Sequence, residues 1–344
     1  MACGDDDSGS STTVDNSVDA GDAPGDSGTV EPDAHLDASP IGPLEDPPDS
    51  TERIFDSRFE TGAIQAGNSA PDGWLEQTMR SNCPGNDYCV PGSDYSYSSQ
   101  VLTSANDEGV GLILPRYGDY FWRAEIRHGD NPLNGDHSPR SQLKVSTGLP
   151  NAHIEWGVRH WVQWSLYKSS VRAEPEWNED LTLVQMSFYP DPTDTLGLSQ
   201  IAFQFEYVPP TRAANIGWPS DGYKVIARYW DMSDPQNPVQ DYVAHADLGA
   251  TNLIPSYVDE WVDWRLEIRS HASSGIIKLW QRRSSADNQW VQVISVTGVA
   301  VGAPNRDYLA SISTYGGPHD YTPGEEERFN PSIIGYFDEV GIFK

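Results

Sequence analysis

Charged side chains with the spacing of one strand face are the first candidates for chemistry in this sequence. Arg123, Glu125 and Arg127 alternate with apolar residues, and a period of two places all three on one side of a strand, over an open face. Two arginines that flank a glutamate predict a pre-oriented cationic patch for an anionic ligand. The loop that follows contains His137 and ends at Arg140, and we expect it to return to the same place and complete a binding cleft.

The R-x-E-x-R spacing occurs a second time in the sequence, so the spacing alone does not identify a binding site. Residues Arg265–Arg269 repeat the R-x-E-x-R spacing, and we place this strand on the outer sheet. The pattern alone is also that of an ordinary solvated strand face. The first copy gains its weight from the loop after it and from the returning Arg140.

The charge and the aromatic content restrict the partners. The net charge is −29, and residues 1–50 hold thirteen acidic residues but no Lys or Arg. An acidic chain is a poor partner for nucleic acid, whose phosphates need a basic field, although clustered arginines can still bind an anionic sugar. The 12 Trp and 16 Tyr fit stacking on sugar rings, and they equally fit the core of a large sandwich.

The first fifty residues differ in composition from the rest. Residues 1–50 are rich in Asp, Ser, Gly and Pro and have almost nothing to bury, which predicts a disordered acidic tether. The start of this segment resembles a bacterial lipoprotein at its processing site, which makes Cys3 the lipidated residue. This implies an exported protein that is anchored at the outer membrane, at the cell surface or in the periplasm, and that contacts the membrane only through its lipid.

The other two cysteines lie close together. Cys83 and Cys89 enclose a short loop, and in an exported protein they predict a local disulfide. Zinc is disfavoured because two cysteines without paired histidines cannot complete its ligand set. No apolar run reaches the ~18 residues of a membrane-spanning helix.

Residues 51–344 carry a β pattern throughout, with Gly, Pro, Asn and Asp between the runs. A dozen strands without a 3.6-residue period or a βαβ rhythm predict one all-β domain, a two-sheet antiparallel β-sandwich of jelly-roll type. We expect it to be a monomer. The predicted strands are 54–62, 111–114, 120–127, 159–167, 181–189, 199–207, 223–230, 261–269, 276–282, 290–296, 308–314 and 334–343.

Several segments together resemble the jelly-roll polysaccharide lyases, in particular the heparin lyase and glucuronan lyase group. The relatives carry R-x-E-x-R-x-G-D and an R-S-E-L-like return, which correspond to Arg123–Asp130 and Arg140–Leu143. The Trp261–Trp264 segment and the closing Tyr336–Val340 segment resemble strands of the wider concanavalin A-like fold. Gln185, Met186 and Ser187 stand where these relatives have Q-[IW]-H.

The resemblance implies a β-eliminating enzyme that acts on an anionic, uronic-acid polysaccharide. Such a lyase neutralises the uronate carboxylate, removes the C5 proton and protonates the leaving oxygen. The predicted catalytic residues are Arg127, Gln185 and Tyr315, with Tyr315 as a base or acid. The predicted substrate-binding residues are Arg123, Glu125, His137, Arg140 and Ser187.

Other assignments stay open at this stage. His128, His137, His319 and Tyr321 are alternative bases, and a lectin-like protein on the same fold without catalysis is the alternative function. Resembling jelly rolls often bind calcium at the back of the sandwich, which implies a structural calcium ion near Glu60 and Asp338. Two carboxylates supply only part of the six to eight oxygens that calcium needs.

Overall fold

A computed structural model gives the architecture of the chain. It describes residues 42–64, 73–78, 97–107, 111–126, 140–146, 148–170, 180–188, 201–231, 233–234, 239–243, 252–285, 288–316 and 333–344. Residues Pro40–Lys344 form one compact unit.

The described residues contain eighteen strands and very little helix. A 3-10 turn spans Pro150–Ala152, and one short helix, α1, spans Pro210–Asn215. No helix in the described ranges has the length and apolar character to cross a bilayer. The strands are β1 (Arg53–Ser57), β2 (Trp74–Thr78), β3 (Ser99–Leu102), β4 (Ala105–Asp107), β5 (Gly111–Ile113), β6 (Phe121–Ile126), β7 (Arg140–Val145), β8 (Arg159–Tyr167), β9 (Leu181–Phe188), β10 (Ile201–Val208), β11 (Gly222–Asp231), β12 (Val239–Val243), β13 (Ile254–Pro255), β14 (Trp261–Arg269), β15 (His271–Arg283), β16 (Val291–Val301), β17 (Tyr308–Tyr315) and β18 (Ile333–Phe343).

Two large antiparallel sheets make up the domain. Sheet A has the strand order β16-β15-β14-β8-β18-β6-β3, with β1 also paired to β18. Sheet B has the order β12-β11-β10-β9-β17-β7-β2, with β13 also paired to β11. Strands β4 and β5 form a separate hairpin. Strands that are distant in sequence are neighbours in both sheets, which is the crossed connectivity of a jelly roll.

Aromatic side chains fill the space between the two sheets. Trp164 and Trp264 of sheet A meet Phe205 of sheet B at ring-centroid distances of 5.4 Å and 4.7 Å. Tyr223 lies 5.2 Å from Trp264 on the same side. Because side chains alternate along a strand, the residues next to these in sequence face away from the core.

The predicted fold class is confirmed, and so is each of the twelve predicted strands. The limits of Arg159–Tyr167 and Trp261–Arg269 agree at both ends, and the others differ by one to several residues. Six of the eighteen strands were not predicted, namely β2, β3, β4, β12, β13 and β7. The residues of β7 were interpreted as the end of a loop. This strand lies inside sheet B, between β17 and β2.

Candidate functional site

The outward face of sheet B carries many polar side chains, and we call these polar residues together the polar face. Apolar residues lie among them on the same side, because Ile226 pairs with Gln204 and Leu309 pairs with Ser187. The two residues of a cross-strand pair lie on the same side of the sheet. Val184 and Phe205 form such a pair and both belong to the core, so the pairs next to them in sequence lie on the outward side. The polar face consists of Arg140, Gln142, Lys144, Thr182, Gln185, Ser187, Gln204, Glu206, Lys224, Arg228, Tyr242, Ser311 and Ser313.

One row of residues crosses the middle of this face. Lys144 pairs with Ser311, Ser311 with Gln185, and Gln185 with Gln204. Neighbouring strands lie ~4.8 Å apart, so the backbones of Lys144 and Gln185 are separated by about 10 Å. Ser311, whose short side chain is buried, lies between these two long polar side chains, and we call this place the trough.

Hydrogen bonds fix the small residues of the row. Gln142 Nε2 donates to Ser311 Oγ at 2.9 Å, and Ser311 Oγ donates to the backbone oxygen of Gln185 at 3.1 Å. Ser313 Oγ donates to the backbone oxygen of Thr182 at 2.9 Å. These residues are buried. The middle of the polar face is therefore rigid, because its hydroxyls and one amide already have partners.

Three polar groups of the row have no hydrogen-bond or ion-pair partner among the described residues. Within the described part of the chain, neither Lys144 Nζ nor the side-chain amide of Gln185 makes a hydrogen bond or an ion pair, and Gln204 Oε1 is buried without one. A buried polar group that lacks a hydrogen bond costs about 1–3 kcal/mol. Unmatched donors and acceptors side by side on a rigid surface are what a polar ligand would complete.

The pKa of Lys144 is low for a lysine. Burial, together with the positive charge of Arg140 on the same strand face, lowers the pKa of Lys144 from 10.5 to about 8. A like charge and loss of water both disfavour the protonated amine. A lysine in this state can accept a proton near neutral pH, and it can also bind an anion that restores its charge.

One end of the polar face is a closed ion cluster. Lys224 Nζ lies 2.5 Å from Asp180 Oδ2 and 3.0 Å from Glu206 Oε2. Thr182 Oγ1 donates to Glu206 Oε1 at 3.3 Å, while burial raises the pKa of the Glu206 carboxyl. These charges neutralise one another, so this end has less to offer a ligand than the Lys144 end.

The β12 edge of the polar face carries an exposed aromatic ring. Tyr242 pairs with Arg228 and is 62 % exposed. An exposed tyrosine presents an apolar ring face to solvent, which suits stacking on a flat apolar surface such as one side of a sugar ring. The polar face thus runs from cationic groups at β7 to an aromatic platform at β12.

The R-x-E-x-R strand residues Arg123 and Glu125 do not lie on the polar face. Arg123 and Glu125 belong to sheet A, not to the sheet of Gln185, and they face away from the core on the opposite side of the sandwich. The expected open face is wrong, since Arg123 is 9 % and Glu125 2 % exposed. Arg123 Nη1 lies 2.6 Å from Glu125 Oε2. The two residues satisfy each other, and the polar face is built without them.

The second R-x-E-x-R segment lies in the same sheet as the first. Arg265 and Glu267 are in β14 of sheet A, on the same outward face as Arg123. Glu267 is ion-paired with Arg159 at 2.8 Å and Lys278 at 3.1 Å. The expectation that the two copies occupy different sheets is therefore wrong, and both copies form ion pairs within sheet A.

Of the other predicted site residues, the structure brings Arg140, Gln185 and Ser187 together on the polar face. Ser187 is buried, two residues beyond Gln185 on β9. The backbone of Tyr315 pairs with Arg140, but its side chain lies outside the described part of the structure. Arg127, His137, Cys3, Cys83 and Cys89 also lie outside the described residues, so their predicted roles stay predictions.

The two predicted calcium ligands hold the same loop. Asp338 Oδ2 accepts hydrogen bonds from the backbone N–H groups of Arg116 and Tyr117, and Glu60 accepts one from that of Asp119. Burial, reinforced by the neighbouring Glu339 carboxylate, raises the pKa of Asp338. No metal-binding group of three or more His, Cys, Asp or Glu occurs among the described residues. The calcium ion stays a prediction.

Lys144 is the site residue that sequence reasoning missed. Its signal is present, because Arg140, Gln142 and Lys144 alternate with Ser141, Leu143 and Val145 over six residues. That alternation is the pattern of a half-buried strand. Because the R-S-Q-L tetrad was interpreted as the end of a loop, neither the strand nor its third outward residue, Lys144, was predicted.

Comparison with models of known protein families finds no match, and neither does comparison with curated proteins. Among solved structures, the chain is similar to an endo-beta-1,4-glucuronan lyase from Trichoderma reesei, with 14 % identity, a TM-score of 0.46, and coverage of 75 % of this chain and 94 % of that one. It is also similar to the catalytic domain of a GH131 beta-glucanase from Podospora anserina, with 13 % identity, a TM-score of 0.43, and coverage of 85 % and 96 %. An alginate lyase from Pseudomonas aeruginosa has 12 % identity, a TM-score of 0.36, and coverage of 64 % and 82 %. Likenesses this distant carry no inference about activity, which has to rest on the residues of the polar face.

Proposed function

We propose that the protein is a polysaccharide lyase that binds a uronic-acid polymer across the polar face and cleaves it by β-elimination. The observation that carries this proposal is the row in which Lys144 and Gln185, two polar groups without partners in the described structure, flank Ser311, with Arg140 four residues from Lys144 on the same face of β7. Cationic and amide groups around one trough are suited to a sugar carboxylate.

The roles follow from the chemistry of the reaction. The C5 proton of a uronate is weakly acidic while the adjacent carboxylate is charged, so the enzyme has to neutralise that charge. Arg140 can do so, because a guanidinium binds a carboxylate through two parallel hydrogen bonds. The amide of Gln185 can donate to the same carboxylate or to a ring hydroxyl. Tyr315, paired through its backbone with Arg140, stays a predicted base or acid.

The extent of the polar face supports a polymeric ligand. Tyr242 lies on β12 and Lys144 on β7, and four strands separate them. At ~4.8 Å between strands, this distance is about 24 Å. A polymer that lies across the strands would meet the cationic trough at one end and the exposed ring at the other.

The direct test is incubation of the purified protein with a panel of polyuronates and glycosaminoglycans, with and without calcium, while the ultraviolet absorbance of the unsaturated product is followed. We expect one polymer to give product. Gln185→Glu places a negative charge beside the substrate carboxylate and should lower kcat/KM by about 10- to 150-fold, the equivalent of one hydrogen bond to a charged group. Gln292→Glu, at an exposed position on β16, is the matched control and should leave turnover unchanged.

A second function is supported by one position. Ser187 follows Gln185 on the same face of β9, two residues outside the row, where a titratable side chain could act as a base and a serine cannot. The alternative is a carbohydrate-binding, lectin-like protein that uses the same face without catalysis. Retained binding to one polymer, with no absorbance from any, would favour this alternative over the lyase.

A further inference from the structure

We propose that Lys144 is the catalytic base, taking the C5 proton of the uronate and returning it to the leaving oxygen. This inference rests on the proposed lyase function, and it assigns to one lysine, in place of Tyr315, both proton transfers that the reaction requires. The polymer class that it predicts has glucuronate or mannuronate stereochemistry at the cleavage site.

The position of Lys144 supports this role. It is the outward residue of β7 directly opposite Ser311, whose other neighbour is Gln185. A sugar ring held over the short Ser311 side chain lies between Lys144 and Gln185. With its carboxylate bound by Arg140 and Gln185, the ring directs its C5–H bond towards the β7 side, within reach of a four-carbon side chain.

Among the described residues, no charged partner occupies the Lys144 amine. Ion pairs hold Lys224 and Lys278 with carboxylates at 2.5–3.1 Å, whereas no described carboxylate pairs with Lys144. The paired positions on the two flanking strands are Ser311 and Leu75, neither of which is ionisable. The remaining described neighbours on its face of β7 and β17 are Gln142 and Ser313, which are uncharged, and Arg140.

Arg140 has two effects in this arrangement. In the free protein its charge and the burial of Lys144 lower the pKa of the amine to about 8, which keeps a useful fraction neutral near neutral pH. When a uronate binds, its carboxylate neutralises the Arg140 charge. That neutralisation raises the pKa of the amine again, so burial is the effect that holds the pKa of the bound base down towards the working pH, where general-base catalysis is most efficient.

The step is balanced without any further reactant. The neutral Lys144 Nζ forms a bond to the C5 hydrogen, and the electrons of the broken C5–H bond form the C4=C5 double bond. The C4–O bond breaks, and its electron pair goes to the glycosidic oxygen. The Lys144 ammonium then gives this oxygen the same proton, so the products are an unsaturated uronate end and a free hydroxyl end, and the lysine is neutral again.

One base for both transfers restricts the substrate. The C5–H and C4–O bonds have to lie on the same side of the ring, which is the syn arrangement of glucuronate and mannuronate units. Galacturonate and guluronate units place these bonds on opposite sides, where Lys144 can reach only one of them. We therefore expect product from glucuronate or mannuronate polymers, and none from polygalacturonate or polyguluronate.

The test compares the wild-type protein with Lys144→Arg, which keeps the positive charge but cannot lose its proton at the pH values used. Lys278→Arg, on sheet A, is the matched control. Turnover is followed against pH on the active polymer, and binding is measured by calorimetry. Separately, the lysines are carbon-13 dimethylated and titrated by NMR, with the signal missing from Lys144→Arg identifying Lys144.

The inference predicts that kcat/KM of the wild type rises with pH and levels off above about 8, the pKa of Lys144. Lys144→Arg should lose at least about 100-fold in turnover, the contribution of a general base, while its affinity stays within a few-fold. Lys278→Arg should match the wild type. An NMR titration of Lys144 near its ordinary pKa would overturn the inference.

The other outcomes separate the inference from the proposed function. If Lys144→Arg turns over close to the wild-type rate with the same pH dependence, Lys144 is not the base and the lyase function stands. If the rise near pH 8 disappears instead in Tyr315→Phe, the tyrosine is the base and the inference is overturned. A wild type that gives no product from any polymer would overturn the lyase function and the role of Lys144 together.

Discussion

Replacing Lys144 with methionine should make the protein more stable, while removing the group proposed to act on substrate. Below pH 8 the amine is charged in both the folded and the unfolded chain, and the folded protein bears the cost of holding that charge away from water. The pKa falls from 10.5 to about 8 on folding, which corresponds to about 3 kcal/mol at ~1.4 kcal/mol per pKa unit. Methionine has a similar length and no charge, so it should recover up to this amount at pH 7.

The sign of the pH dependence is fixed by the same two pKa values. Between pH 8 and 10.5 the unfolded chain binds more protons at this residue than the folded one, so the stability of the wild type rises with pH relative to the variant. The advantage of Lys144→Met should therefore shrink from about 3 kcal/mol at pH 7 to about 1.4 kcal/mol at pH 9.5. Above pH 10.5 the amine is neutral in both states, and only the difference in packing remains.

Urea unfolding at pH 7 and pH 9.5 measures the difference in the free energy of unfolding between Lys144→Met and the wild type at each pH. The comparison requires that this free energy falls with urea concentration at the same slope in both proteins. Lys278→Met is the control, because Lys278 is paired with Glu267 at 3.1 Å, and its loss should be neutral or slightly destabilising at either pH. A Lys144→Met protein that is no more stable than the wild type at pH 7 would show that the amine is well solvated or paired. The reasoning about this residue would then fail, whatever the activity of the protein.

Further predictions address the two sides of the sandwich. Asp263→Ala should destabilise the fold by about 3–5 kcal/mol in urea unfolding, because Asp263 accepts hydrogen bonds from Arg116 and Arg282 at 2.8–3.0 Å in a buried site; a loss below 1 kcal/mol would contradict this. Tyr242→Ala should weaken polymer binding in calorimetry about fivefold, from the loss of about 1 kcal/mol of stacking, and should leave the urea midpoint unchanged because the ring is 62 % exposed. Arg140→Gln should raise the pKa of Lys144 in the NMR titration, since it removes a positive charge that lowers that pKa; an unchanged titration would attribute the whole effect to burial.

Local patterns predicted the strands better than they predicted the site. The two-residue period identified β6 and both faces of that strand, and Trp122 does lie in the core. The period cannot say which sheet a strand joins, because that depends on partners far away in sequence. Arg123 pairs with Tyr336, and Lys144 pairs with Ser311, more than 160 residues later in each case. The predicted cleft combined strands of the two sheets for this reason.

The burial of charged residues could not be predicted from the sequence either. Arg123 and Glu125 looked like a solvated face, but their outward side is next to a second apolar cluster that includes Phe121 and Tyr336. Arg140 was singled out as a residue of interest, but as part of a loop, whereas it is the first residue of β7. The low pKa of Lys144 results from burial and from a neighbour four residues away on the same strand face, and neither effect is visible without knowing that β7 is an interior strand.

The two outward faces of the sandwich show why charge alone is a poor guide to function. On sheet A, the buried Asp263 is matched by two guanidinium groups and by the Ser165 hydroxyl at 2.6 Å, so the cluster is satisfied and a ligand would have to break it. On the polar face, the described residues leave the Lys144 amine and the Gln185 amide without partners, and the burial of the Lys144 charge has a cost in stability that evolution could remove by one substitution. A protein that keeps such a cost at one place on its surface gains something there, and binding of an anionic ligand is the gain that these groups can provide. The site is therefore found from what the fold leaves unsatisfied, rather than from where its charges are most numerous.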